Sequence, residues 1–355
     1  MYVSVYVHVQ AFGSYLPSHP FDSIAELFRP HVKYVSIDFL LCVGTYWGAV
    51  SSPYCAEIVE SSDLVIAAGP VFNDYTTTGW STLMTPSKLL HAAPNHVVLN
   101  GQVFSNVQLP TFLTELSKHF AHKSPSGSGQ KPMSLEAYKR VYTPTMTPHP
   151  APGHEKLSLR ELRRQIQGML THDMELVVET GDSWFNGQKL VLPDGAQYHC
   201  QMQYGSIGWS VGASLGVQLG VAPNRRVVAL VGDGSFQMTA QEISVMIREN
   251  APVIMFVFNN KGYTIEVEIH DGPYNNIKNW DYAGLVDVFN AHGEGNGLGI
   301  TVKNGAELTA AIKRAKAHHH FVLIECVLDR DDCTAELLEW GSRVAKANSR
   351  PHVEH

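Results

Sequence analysis

The stretch VGDGSFQMTAQEISVMIRENAPVIMFVFNNKGYTIE, Val231 to Glu266, turns at two glycines, Gly232 and Gly234, with Asp233 between them. Glycine at the end of an apolar run lets backbone approach a phosphate closely. A dinucleotide fingerprint needs a third glycine at position 237, where Gln237 stands, and Asp233 would set a carboxylate against a diphosphate. Both features argue against a nicotinamide-dependent dehydrogenase. A hard divalent cation such as Mg2+ removes the conflict, because it accepts a carboxylate, an amide oxygen, a backbone carbonyl and phosphate oxygens in one octahedron. The next apolar run ends in Asn259 and Asn260. A helix and a strand between Asp233 and Asn260 form a βαβ unit, which returns both residues to one edge of a parallel sheet. Ser235 opens the intervening helix, whose free amides and dipole favour an anion.

Outward from this stretch, Glu175–Glu179 (ELVVE), Arg226–Gly232 (RVVALVG), Pro252–Asn259 (PVIMFVFN) and Phe321–Leu328 (FVLIECVL) are near-continuous apolar runs. Strands buried on both faces read this way. Ser158 and Glu161 predict a capping box, followed by a helical stripe of Leu159, Leu162, Ile166, Met169 and Leu170. The alternation predicts an α/β fold with a doubly wound, mostly parallel sheet and its ligands at the carboxyl ends of the strands. Upstream, residues 123–153 are rich in proline, glycine and serine and read as a linker. Before it, Ser62–Tyr75 and Asn95–Gly101 predict strands of a shorter α/β domain.

At 355 residues, 44% apolar and 17% charged, the chain is long enough for about two globular domains. A net charge of -7, with its Lys and Arg scattered apart from Arg160, Arg163 and Arg164, argues against a nucleic-acid partner. Five cysteines without a CxxC pair suggest neither a disulfide framework nor a zinc site, and a reducing compartment fits them best. No apolar run reaches membrane-spanning length, and no basic segment precedes Arg29, so a cytoplasmic location with no membrane partner is expected. His318, His319 and His320 cannot face one point, and Asp329, Asp331 and Asp332 read as a solvated turn.

GDGS followed by NN about 27 residues later resembles the cofactor signature of thiamine diphosphate enzymes, and Asn259–Leu285 (NNKGYTIEVEIHDGPYNNIKNWDYAGL) is similar to pyruvate decarboxylases. The resemblance runs from about Gly44 to Val353 and includes ETGDSWFNGQKL (Glu179–Leu190) and YGSIGWSVGASLG (Tyr204–Gly216). It implies a thiamine diphosphate-binding fold in residues 154–355, preceded by a truncated Rossmann-like α/β middle domain in residues 43–122. It also implies Asp233, Asn260 and the carbonyl of Gly262 as Mg2+ ligands. Ser235, Thr264 and Ile265 would meet the diphosphate, while Gly205 and Ile207 would grip the aminopyrimidine. Thr180, Asp182, Gly234, Phe236 and Tyr263 would lie around the same cofactor. Glu266 would act on bound substrate as a proton donor, and Trp184, Ile265 and Ile269 would line a small acyl pocket suited to pyruvate. Apart from the resemblance, Trp184 and Ile207 read as ordinary core.

Pyruvate decarboxylases also resemble one another in an N-terminal domain that supplies a glutamate and two adjacent histidines, and residues 1–42 match neither that domain nor the start of the middle one. The expectation is therefore a decarboxylase subunit incomplete as a catalyst alone, forming a homodimer or tetramer or associating with a full-length homologue. The alternatives are a noncatalytic cofactor-binding or assembly subunit, or a decarboxylase for larger 2-oxo acids such as indolepyruvate.

Overall fold

The four apolar runs around Val231–Glu266 form the middle of a parallel sheet in a computed structural model, which describes residues 44–62, 64–123 and 153–349. Residues 1–43 and 124–152, which include the segment expected to be unmatched and nearly all of the expected linker, lie outside the described residues. The described chain falls into two units.

In the first unit, α1 (Cys55–Glu60) precedes β1 (Val65–Ala68), followed by β2 (Leu89–Ala92), β3 (His96–Leu99), β4 (Gln102–Ser105) and α2 (Leu109–Lys123). The sheet order is β1-β2-β3-β4, with β1 and β2 parallel and the other two pairs antiparallel. Tyr46, Cys55, Ile58, Val59 and Val65 form its core. The run expected as a strand at Asn95–Gly101 is β3, one arm of an antiparallel hairpin.

The second unit begins with α3 (Leu159–Met169), β5 (Met174–Val178), α4 (Asp182–Gly187), β6 (Gln197–Cys200) and α5 (Trp209–Gly220). It continues through β7 (Arg226–Gly232), α6 (Asp233–Thr239), α7 (Glu242–Arg248), β8 (Ile254–Asn259), α8 (Thr264–Ile269) and α9 (Gly284–Phe289). The last elements are β9 (Leu298–Val302), α10 (Gly305–Ala317), β10 (Val322–Val327) and α11 (Ala335–Asn348). Strand order is β6-β5-β7-β8-β10-β9, and every pair is parallel. Every residue of β5 and β8 is buried, as runs apolar on both faces require. The chain leaves β5 for β6 on one side and leaves β7 for β8 on the other, so a crevice opens between the carboxyl ends of β5 and β7.

The α3 stripe is buried as its spacing predicts, with Leu162 and Ile166 at 0% and 1% exposure. Its expected capping box forms only by half. Ser158 Oγ accepts the Glu161 N–H at 3.2 Å, whereas the Glu161 carboxylate takes Arg164 and Gln165 at 2.6–2.7 Å. A guanidinium one turn along is a stronger donor than a backbone amide and draws the carboxylate away. β6 and β9 are strands that the sequence reading did not identify. Both are sheet edges, and polar or glycine positions break their apolar runs.

Candidate cofactor site

Three segments converge at the crevice. Thr180–Asp182 follows β5, Asp233–Ser235 follows β7, and Asn260–Thr264 follows β8. They enclose a cavity of about 390 Å³, within the about 300–1,000 Å³ typical of small-molecule sites. Of the residues expected at the cofactor or substrate, its walls hold Thr180, Asp182, Ile207, Gly234, Ser235, Asn260, Tyr263, Thr264, Ile265 and Glu266. Tyr274 and Asn275 join them from a loop that sequence reasoning did not assign to the site.

Asp233 is 1% exposed at the first position of α6. Its Oδ1 accepts the Gly234 N–H at 2.7 Å, and its Oδ2 accepts the Lys261 N–H at 2.6 Å. Lys261 reaches that position by adopting a left-handed φ of 67°, a conformation that non-glycine residues rarely hold outside constrained sites. Burial pushes the Asp233 carboxyl up to about 7, because an ionised carboxylate is poorly accommodated there without a counter-charge.

The Asn260 amide donates from Nδ2 to Thr264 Oγ1 at 2.6 Å. Its other end stands 3.1 Å from the Gly262 carbonyl oxygen and 3.2 Å from Asp233 Oδ1. With Oδ1 at that end, three oxygens face one another with no proton between them. Ligands about 2.0–2.1 Å from Mg2+ stand about 3 Å apart along an octahedral edge, so this spacing fits a hard cation. Turned over, the amide would donate to both oxygens. One amide rotation thus separates a hydrogen-bonded arrangement from one that leaves three oxygens at a spacing suited to a cation. The donor set of carboxylate, amide oxygen and backbone carbonyl is the one magnesium prefers.

Close backbone packing shapes the adjoining wall. A Cβ on Gly234 would lie 2.3 Å from Tyr263 Cε1, and one on Gly262 would lie 2.7 Å from the Asn275 carbonyl oxygen. The Tyr263 N–H donates to that same carbonyl at 3.2 Å, and Gly262 bridges Asn276, so residues 272–276 strap the loop after β8. Gly262→Ala pushes against backbone and is expected to lower the melting temperature by the equivalent of about 1–3 kcal/mol and to weaken cofactor uptake. Thermal melting and calorimetry on one preparation measure both effects.

Glu266 is an exposed residue of α8 that lines the cavity, and partial burial raises its pKa above the ordinary carboxylate value. Burial, reinforced by the negative charge of Asp332, pushes Asp182 up to about 7. Glu179, which sequence reasoning did not single out, is fully buried at the end of β5. Its carboxylate accepts from Thr180 N, Gly208 N and Ser210 Oγ at 2.6–2.9 Å, tying the β5 loop to the start of α5.

Six expected residues do not line the cavity. Phe236 is fully buried and meets Tyr282 edge-on at 5.8 Å in the main core, because its position on α6 faces the sheet. Trp184 is 2% exposed and packs against Trp340 of α11 at 6.2 Å. Gly205 occupies a turn at φ +59°, and Ile269 is half-buried at the end of α8. Asp233 and Gly262 stand beside the Asn260 amide, as described above. Trp184→Ala is therefore expected first to destabilise the fold by about 3–5 kcal/mol, as measured by denaturant unfolding.

Among the described residues no cluster of three or more His, Cys, Asp or Glu is arranged to hold a metal. His318 Nε2 meets the Asn296 carbonyl, Asp329 pairs with Lys156, and Asp332 accepts the Leu159 N–H that opens α3. No helix among the described residues is long and apolar enough to cross a membrane.

Residues 179–326 match the family described as thiamine pyrophosphate enzyme, C-terminal TPP binding domain, and residues 31–116 match its central domain. Pyruvate decarboxylase 2 of Arabidopsis thaliana is 49% identical over 312 residues, covering 87% of this chain and 50% of that protein. Pyruvate decarboxylase 2 of Pisum sativum is 49% identical over 312 residues, covering 87% and 75% of the two chains. The probable pyruvate decarboxylase Pdc101 of Schizosaccharomyces pombe is 48% identical over 310 residues, covering 87% and 53%. The chain spans about half the length of most of these curated relatives. With both domain matches in chain order on an α/β architecture, the chain belongs to the pyruvate decarboxylase family of thiamine pyrophosphate enzymes.

Proposed function

We propose that this chain holds Mg-thiamine diphosphate and carries the cofactor-binding part of a site that converts pyruvate to acetaldehyde and CO2. The observation that supports this most is the convergence of Asp233 Oδ1, the Asn260 amide and the Gly262 carbonyl within 3.1–3.2 Å beside a cavity lined by Glu266. Thiamine diphosphate supplies the electron sink that no side chain can offer when a 2-oxo acid loses CO2.

The chain's own residues do the rest. Asp233, Asn260 and Gly262 hold Mg2+, and the wall of Gly234, Ser235 and Thr264 receives the diphosphate. Gly205 and Ile207 position the pyrimidine, with Thr180, Asp182 and Tyr263 around it. Glu266, whose pKa is raised by partial burial, delivers the proton that replaces the lost carboxylate. Ile265, 9% exposed in the wall, limits side-chain size, with Trp184 and Ile269 behind it. Ile265→Ala is expected to shift preference toward 2-oxo acids one or two methylenes longer by about 10- to 200-fold in kcat/KM, and an unchanged ratio would remove Ile265 from the pocket.

We further propose that the chain is cytoplasmic and acts in a homo-oligomer or beside a full-length homologue. Tyr204, Met238 and Tyr274 are 83%, 52% and 60% exposed on segments bordering the cavity, and apolar surface of this kind favours a covering partner. The same surface supports a second reading, an assembly subunit that holds cofactor without turnover. Coupled measurement of acetaldehyde release by the chain alone, and after co-purification with a full-length homologue, separates the two. The decarboxylase reading expects turnover assignable to this chain's Glu266 in the assembly, and the assembly reading expects none.

A further inference from the structure

Glu325 is a buried carboxylate that the site described above does not use. It is 5% exposed in β10, between β8 and β9, opposite Val257 and Thr301. Its Oε1 accepts Asn259 Nδ2 at 2.6 Å, and its Oε2 accepts Thr301 Oγ1 at 3.0 Å and the Ala283 N–H at 3.3 Å. Among the described residues no Lys, Arg or His pairs with it. Asn259 itself is 1% exposed, and its Oδ1 is buried with no donor among the described residues. A carboxylate on three neutral donors beside an unsatisfied amide oxygen is an expensive arrangement in a sheet interior, where apolar residues of similar volume would be more stable.

We propose that Glu325 is a positioning residue for the cation site, acting through Asn259; this rests on the Mg2+ reading of the Asn260 loop. Asn259 is the last residue of β8 and Asn260 follows it directly, and side chains in a strand alternate between faces. An acceptor-only carboxylate forces the Asn259 amide to present its NH2 group, which fixes that side chain on the sheet face. The Leu328 N–H, just past the end of β10, donates to the Asn259 carbonyl at 3.0 Å and fixes the strand end as well. With Asn259 held at both its side chain and its carbonyl, Asn260 is aimed at Asp233 and Gly262. Partners that orient metal ligands in this way typically contribute 10- to 100-fold to affinity.

The test is calorimetric titration of Mg2+ at saturating thiamine diphosphate, with thermal melting of the cofactor-free protein as the structural control. Glu325→Gln sets an NH2 group among donors and is expected to raise the Mg2+ dissociation constant about 10- to 100-fold. The paired change Asn259→Asp with Glu325→Gln reverses donor and acceptor and is expected to restore the wild-type constant. Wild-type affinity in Glu325→Gln, or a paired variant that regains its melting temperature but not its affinity, would overturn the inference. If Glu325→Gln does not fold, Asn259→Ser withdraws the amide alone. The same weakening is then expected, and unchanged affinity would overturn the role. A wild-type chain that takes up no Mg2+ would sink the cofactor reading as well, an outcome the variants cannot mimic.

Discussion

Asp233→Asn is expected to weaken Mg2+-dependent thiamine diphosphate binding about 100-fold or more, measured by calorimetry on the purified chain. The substitution keeps the shape of the side chain but removes the charge proposed to face the cation. It also removes one of the two acceptors that hold the Gly234 and Lys261 amides. The second of these bonds keeps Lys261 in its left-handed conformation and thereby brings Gly262 into line. The cofactor-free variant is not expected to melt much lower than wild type. Burial raises the native pKa of Asp233 to about 7, so the ionised group opposes folding increasingly as pH rises from the ordinary aspartate value through that range. Losing this carboxylate relieves that opposition while it removes the cation. A variant that binds cofactor as wild type does would place the metal elsewhere.

Glu266→Gln is expected to lower kcat about 100- to 10,000-fold in whichever assembly turns over, while the calorimetric constant for the cofactor stays within about twofold. Glutamine fills the same volume in the wall but cannot deliver a proton. Because burial raises the pKa of Glu266, its acid form persists to higher pH than an ordinary glutamate, and the rate should fall as pH rises through that raised value. A partner that covered Glu266 would desolvate it further and extend the acid form still higher. Equal losses of binding and turnover would instead indicate a structural role for Glu266.

The βαβ unit from Val231 to Glu266 was legible because its strands are apolar throughout and its loop residues have few alternative uses. Asp233 between two glycines, followed by Asn260 after two short helices, where the spacing suggested one, and one strand, states a chemical need that a parallel sheet meets by geometry. What escaped the sequence depends on contacts between distant segments. Glu325 sits in an apolar run that reads simply as a buried strand, and its partners Asn259, Ala283 and Thr301 come from three other segments. Glu179 is hidden in the same way at the end of β5. Tyr274 and Asn275 reach the cavity because residues 272–276 fold back over Gly262, which no periodicity records. Phe236 and Trp184 carry motif identity without cavity contact, because large apolar side chains beside a site are drawn into the core.

The measurement that bears most directly on the central claim is titration of thiamine diphosphate into the purified 355-residue chain, with Mg2+ and then with the divalent cation chelated. The arrangement of Asp233, Asn260 and Gly262 predicts one cofactor per chain, bound with Mg2+ and lost on chelation. Binding of equal strength without a divalent cation, or no binding with one, would contradict it.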